Sequence, residues 1–154
     1  MKVNFFAPSN NLGYGIHARN LIKAFEARGH EVCLIPPFGK TDFKDDHVER
    51  WLKAREAFDP SLPGIMIFCE EFLSQFVGKP RIGFPVFEME KFTPVQIAMI
   101  RSCDYVFTPS KWGAEILVRN GIGWDKIRIV NEGFDPEVFP VQSCPAGEFT
   151  FLTV

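Results

Sequence analysis

The sequence contains no uninterrupted apolar run near the ~20 residues that a membrane-spanning helix needs. Its charges show no imbalance to exploit: 17 Lys and Arg stand against 19 Asp and Glu, a formal net charge of -2. Such a balance provides neither a nucleic-acid footprint nor a basic patch for anionic lipid. The four cysteines, Cys33, Cys69, Cys103 and Cys144, form no C-x-x-C pair. A zinc site therefore has no pattern behind it, and buried free thiols in a reducing cytoplasm are expected. The opening run after Met1-Lys2 is too short for a signal peptide. Internal repeats and low-complexity tracts are also missing. What remains is a soluble globular composition, 46% hydrophobic and 23% charged, long enough for one domain with a substantial core. Its 17 phenylalanines imply an aromatic core or a large surface to be covered.

Apolar runs at 2–7, 30–36, 64–69, 80–88, 104–108 and 126–130 read as strands, with Pro85 making the fourth irregular at its end. Helical spacing separates them. Ala18, Leu21, Ile22 and Phe25 form one face of a helix running from Ile16 and stopped by Gly29. The charged tract 41–58 places Val48, Trp51, Leu52 and Arg55 on one stripe. A short helical stretch is expected near "EEFLSQFV". Thr93 is a candidate N-cap with Pro94 at the first helical position; Ser110 caps the last helix and Gly121 follows its end. Alternation of this kind predicts an α/β fold: an open, Rossmann-like parallel sheet with helices on both faces. After a Pro- and Gly-rich loop, "FTFLTV" reads as the first strand of a further domain. The expected division is 1–148 for this domain and 149–154 for the start of the next.

The hexamer "GYGIHA", Gly13 to Ala18, satisfies the G-x-G-x-x-[GA] pattern of a dinucleotide turn. Two details oppose a nicotinamide site. "PSNNL" separates the first glycine from the strand, and Pro36-Pro37 stand where an acidic residue would hold the ribose. Gly13 and Gly15 still leave backbone N–H groups open at a helix start, where a phosphate or sugar hydroxyl can approach. The same glycines also suit a strained turn. Pattern alone leaves both readings open.

Taken together, "NNLGYGIHARNLIKAFEARGHEV", "FEMEKFTPVQIAMIRSCDYVFTPSKWGAEILVRNGI" and "KIRIVNEGFDPEVF" resemble the N-terminal domain of retaining glycosyltransferases of family four, which have the GT-B fold. In the last of these segments Glu132 and Phe134 are local variants. The resemblance spans nearly the whole chain outside roughly 40–60. It implies half of a GT-B enzyme that moves a sugar from a nucleotide-sugar donor to a carbohydrate or other hydroxyl acceptor. The donor is shared with a C-terminal domain, and this half alone is expected to be inactive. Gly13, Tyr14 and Gly15 map onto the loop that approaches the donor phosphates. Asn11, His17, Glu88 and Lys111 map to the acceptor side, with Glu90 as a lesser neighbour of Glu88. No cofactor, metal or catalytic base is implied, because the departing diphosphate helps to deprotonate the acceptor. Cys69, Glu70 and Glu71 occupy the place where some members carry a His near the donor sugar. Asp135 and Phe139 would shape the interdomain turn. A cytoplasmic location follows, either free or peripheral to the inner membrane face. An apolar interdomain face open to self-association is also implied. Two other functions compatible with the residues are an NAD(P)-binding oxidoreductase domain and a non-catalytic Rossmann-like binding module.

Overall fold

The computed structural model describes residues 1–134, Pro136 and residues 138–140. Six strands, β1 (Lys2–Phe6), β2 (Glu31–Ile35), β3 (Gly64–Ile67), β4 (Arg81–Phe84), β5 (Tyr105–Thr108) and β6 (Ile127–Ile129), form one sheet of order β2-β1-β3-β4-β5-β6. Every pairing is parallel. The α/β architecture expected from the alternating pattern is therefore present. "FTFLTV", the boundary near 148, Cys144 and Asp135 lie outside the described residues.

Strand alternation divides the core in two. Phe5, Ile65, Ile67 and Phe84 face one side of the sheet, where α1 (Gly13–Ala27) contributes Ala18 and Ile22 and α2 (Asp46–Lys53) contributes Val48 and Trp51. Phe6, Met66, Val106 and Ile127 face the other, against Ile100 of α3 (Pro94–Arg101) and Ile116 and Leu117 of α4 (Lys111–Arg119). A parallel sheet buries both faces because its crossovers lay helices on each. Here α1 and α2 cover one, and α3 and α4 the other.

Local signals account for the helix ends. Thr93 accepts from Gln96 N while the Gln96 side chain accepts from Thr93 N, a complete capping box behind Pro94. Ser110 accepts from Gly113 N. Gly29 and Gly121 follow α1 and α4 with φ of 77° and 80°, left-handed values that glycine adopts without strain.

Several boundaries differ from the sequence expectation. The fourth strand ends at Phe84, just before Pro85, so residues 85–88 form a loop. "EEFLSQFV" contributes only a 3₁₀ turn at Glu70–Phe72. The tract 41–58 yields eight α-helical residues, because Asp45 caps α2 at His47 N and Val48 N and the helix tightens to a 3₁₀ turn at Ala54–Ala57. Val48 and Trp51 of its stripe are buried, whereas Arg55 is exposed. α1 begins three residues earlier than Ile16. Past α2 the chain crosses to the opposite face, where Phe58 meets Phe6 edge-on at 6.3 Å and the buried Asn4 donates to the Asp59 carbonyl at 2.9 Å.

Cys33 and Cys103 are buried free thiols, Cys69 is half-buried, and among the described residues no helix is long and apolar enough to cross a membrane. Trp51 is the largest fully buried side chain, at 1% exposure, and it anchors α2. Replacing it with Ala is expected to cost about 3–5 kcal/mol of unfolding free energy in urea denaturation. The same change at the exposed Trp124 is expected to stay within about 0.5 kcal/mol.

Candidate functional site

Parallel strands deliver all their C-terminal ends to one edge of the sheet. Where the strand order reverses, between β1 and β3, connections leave in opposite directions and open a crevice. The residues following the strands lie along this edge: 8–12 after β1, 36–38 after β2, 68–70 after β3, 85–90 after β4, 109–110 after β5 and 130–134 after β6. The β1 and β2 loops are tied together by a Ser9–Thr41 hydroxyl contact of 2.7 Å.

The glycine loop has two parts with different physics. A Cβ on Gly13 would meet nothing within 4 Å, so this residue leaves open space at the start of α1. A Cβ on Gly15 would land on the carbonyl oxygen, amide nitrogen and Oδ1 of Asn10. Gly15 is buried, and the room its missing side chain provides is taken by the chain itself rather than left for a ligand. Asn10 Oδ1 also accepts from Leu12 N at 3.1 Å, which shapes the turn. Leu12 is the N-cap of α1 and provides no side-chain acceptor. The first turn of α1 therefore has no side-chain cap, and it begins at the exposed Gly13.

Tyr14 leans across the crevice. Its Oη donates to the Val86 carbonyl at 3.1 Å, and its ring meets Phe68 edge-on at 5.1 Å. Burial, followed by the nearby Cys69, Glu70 and Glu88, raises the phenol above its ordinary range, so Tyr14 stays a donor at neutral pH. Glu88 is thus brought to the same crevice as Tyr14, with an exposed side chain.

His17 lies one turn further along α1. Only 19% of its side chain is exposed; the ring stands edge-on to Phe84 at 5.0 Å, and Nδ1 lies 3.3 Å from Glu132 Oε1. Burial pulls its pKa below 6.5, with Glu132 opposing. Two expected residues do not join the cluster through any contact. Asn11 is exposed on the loop. Lys111 projects from α4, 83% exposed, with Glu115 of its own helix 4.0 Å away. Glu90 is exposed, and its carbonyl accepts from Asn120 Nδ2 at 2.9 Å.

Several residues at this edge were not singled out as candidates by the sequence pattern. Glu70 is 4% exposed and accepts from Gln96 Nε2 at 2.7 Å. Its signals in the sequence were an acid shortly after the third apolar run and, by resemblance, its place where some family members carry a His. Phe38, 59% exposed, meets Phe68 and Phe72 edge-on, each at 5.7 Å. It occupies the end of β2 where a dinucleotide site would carry its acid. Asn10, next to the expected Asn11, had no pattern to mark it. Burial and the charges of Glu70 and Glu71 raise the Cys69 thiol, which removes a reactive thiolate from the chemistry available at neutral pH. No group of three or more potential metal-ligating side chains occurs among the described residues.

The edge can therefore present backbone donors, hold a polar ligand against carboxylates and aromatic rings, and accept a proton at a neutral imidazole. The chain matches no protein-family model, no curated protein and no solved structure.

Gly15→Ala is expected to lower the unfolding temperature by several degrees, because its Cβ would displace Asn10, whereas Gly13→Ala should leave it unchanged or slightly raised. Circular dichroism melts distinguish the two. His17 generates a second expectation. Its folded pKa lies below 6.5, so between those two values the unfolded chain binds more protons and stability rises with pH. His17→Gln is expected to remove that slope below pH 6.5 in pH-dependent unfolding curves.

Proposed function

We propose that this chain is the acceptor-side, N-terminal domain of a retaining GT-B glycosyltransferase, whose second domain binds the nucleotide-sugar donor across the crevice. The observation that carries the reading is an apolar rim around the candidate site. Leu12 (69% exposed), Phe38, Met89, Trp112 and Phe134 (66% exposed) all stand in loops or helix starts that follow the C-terminal ends of strands. Large apolar side chains gathered around one edge call for a covering surface. A domain closing over that edge would bury them and exclude water from a transfer site.

In this reading, Gly13 and the open first turn of α1 receive donor phosphate, while Tyr14, His17 and Glu88 face the acceptor. Glycosyl transfer asks the protein for positioning and for stabilisation of the departing diphosphate, both of which an ordered edge with exposed N–H groups supports. The oxidoreductase alternative is disfavoured by two features. Asn10 fills the space beside Gly15, and Pro36-Pro37-Phe38 replace the ribose-binding acid.

The protein expressed from its full native coding frame is expected to transfer sugar from one of a panel of nucleotide-sugars, and residues 1–154 alone are expected to be silent. Gly13→Val is expected to reduce transfer at least tenfold without changing the melting temperature, since it fills open space at the phosphate position. An active Gly13→Val enzyme would remove this loop from the site, and saturable NADH binding to the chain would favour the oxidoreductase instead. Concentrating the chain is expected to drive self-association through the apolar rim. Sedimentation velocity showing a monomer at every concentration would count against the rim as an interface.

A further inference from the structure

The two outer strands of the sheet are finished differently. Against β2 packs the 3₁₀ turn Ala54–Ala57, on the path by which the chain passes from one face to the other. β6 ends the sheet on the other side, and among the described residues no strand pairs with its outer edge. Unpaired N–H and C=O groups on such an edge are a template for another strand. One bond shows which groups these are. Val130 N donates to the Thr108 carbonyl at 2.9 Å, and alternate residues of a strand turn their backbone groups the same way. Arg128 therefore directs its backbone toward β5, while Ile127 and Ile129 direct theirs outward.

The outward groups of Ile127 are already engaged. Its N–H donates to the Trp124 carbonyl, and its own carbonyl accepts from Arg128 Nη1 at 2.8 Å. The same nitrogen donates to the Asp125 carbonyl at 2.7 Å, and the guanidinium lies over the Tyr105 ring, 5.1 Å from its centroid. An exposed arginine is thus held along the edge of the strand. No carboxylate stands within ion-pair distance of it among the described residues, so its charge is not neutralised there. Ile129 contrasts with Ile127. It is 41% exposed, and its N–H and C=O have no backbone partner among the described residues.

We propose that Arg128 prevents β6 of one copy of this chain from pairing with β6 of another. The segment Ile127-Arg128-Ile129 complements itself. In an antiparallel pair about a two-fold axis at Arg128, each Ile129 N–H meets the Ile127 carbonyl of the other copy. That carbonyl is the acceptor Arg128 occupies. The same register places the two Arg128 residues directly opposite each other, and like charges so placed repel. One side chain therefore blocks the edge twice, by taking its acceptor and by carrying its charge. The device is independent of any transfer activity and lies away from the loops of the candidate site.

The chain itself serves for the test, at a concentration where it sediments as a monomer. Arg128→Thr frees the Ile127 carbonyl, removes the charge and favours a strand. It is expected to form dimers in sedimentation velocity, with exchange of the Ile129 amide slowed about tenfold or more in hydrogen-exchange spectra. Arg128→Gln, a milder change at the same exposed position, is expected to shift both readouts in the same direction. Adding Ile129→Pro to Arg128→Thr removes the outward donor and is expected to restore the monomer. Two monomeric Arg128 variants with unaltered Ile129 exchange overturn the proposal, as does an Ile129 amide already protected in the monomeric unaltered chain. Dimers of Arg128→Thr whose Ile129 amide still exchanges freely also overturn it, because they associate through another surface.

Discussion

The close packing of Gly15 on Asn10 sets the start of α1 at the candidate edge. Because no side chain separates them, the loop leaving β1 folds back onto the first turn of α1. That contact fixes where the helix starts, and helical periodicity does the rest. One position before Gly15, Tyr14 reaches the Val86 carbonyl beyond β4; two positions after it, His17 reaches Phe84 and Glu132. The three connections tie α1 to strands on the far side of the order reversal. A methyl group at position 15 would disturb all of them through one steric overlap.

The architecture was largely legible in the sequence because hydrophobic period and caps are local signals. All six strands in the described residues fall inside their expected runs, and Thr93, Pro94, Ser110 and Gly121 take the positions assigned to them. Pro85, expected to make the end of the fourth strand irregular, stops it at Phe84, since proline cannot extend a central ladder. The errors have physical sources. "EEFLSQFV" has the composition of a helix, but Leu73 and Phe76 are drawn into the core of the α3–α4 face, and only one tight turn forms.

The site was less legible, and the reason is the same locality. Gly15 carries identical information in the sequence whether a phosphate or Asn10 fills the space beside it. The burial of His17 depends on Phe84 and Glu132, both distant in sequence. The burial of Glu70 goes with a bond from Gln96 of α3, 26 residues away, which no local pattern announces. Lys111 shows the converse: a basic residue at a helix start was attractive by position, and its nearest acidic partner is Glu115 on its own helix.

At the opposite edge of the sheet, Arg81 donates to the Ser102 and Leu73 carbonyls, each at 2.7 Å, and lies over the Phe76 ring. The Asp104 carboxylate accepts from the Arg81 backbone at 2.7 Å, and Lys126 donates to the Arg101 and Cys103 carbonyls. These bonds join the starts of β4, β5 and β6 into a fixed base. Loops at the far end inherit a frame whose registration they do not have to maintain. The loops at the C-terminal ends of the strands can therefore change sequence while this foundation keeps the strands aligned.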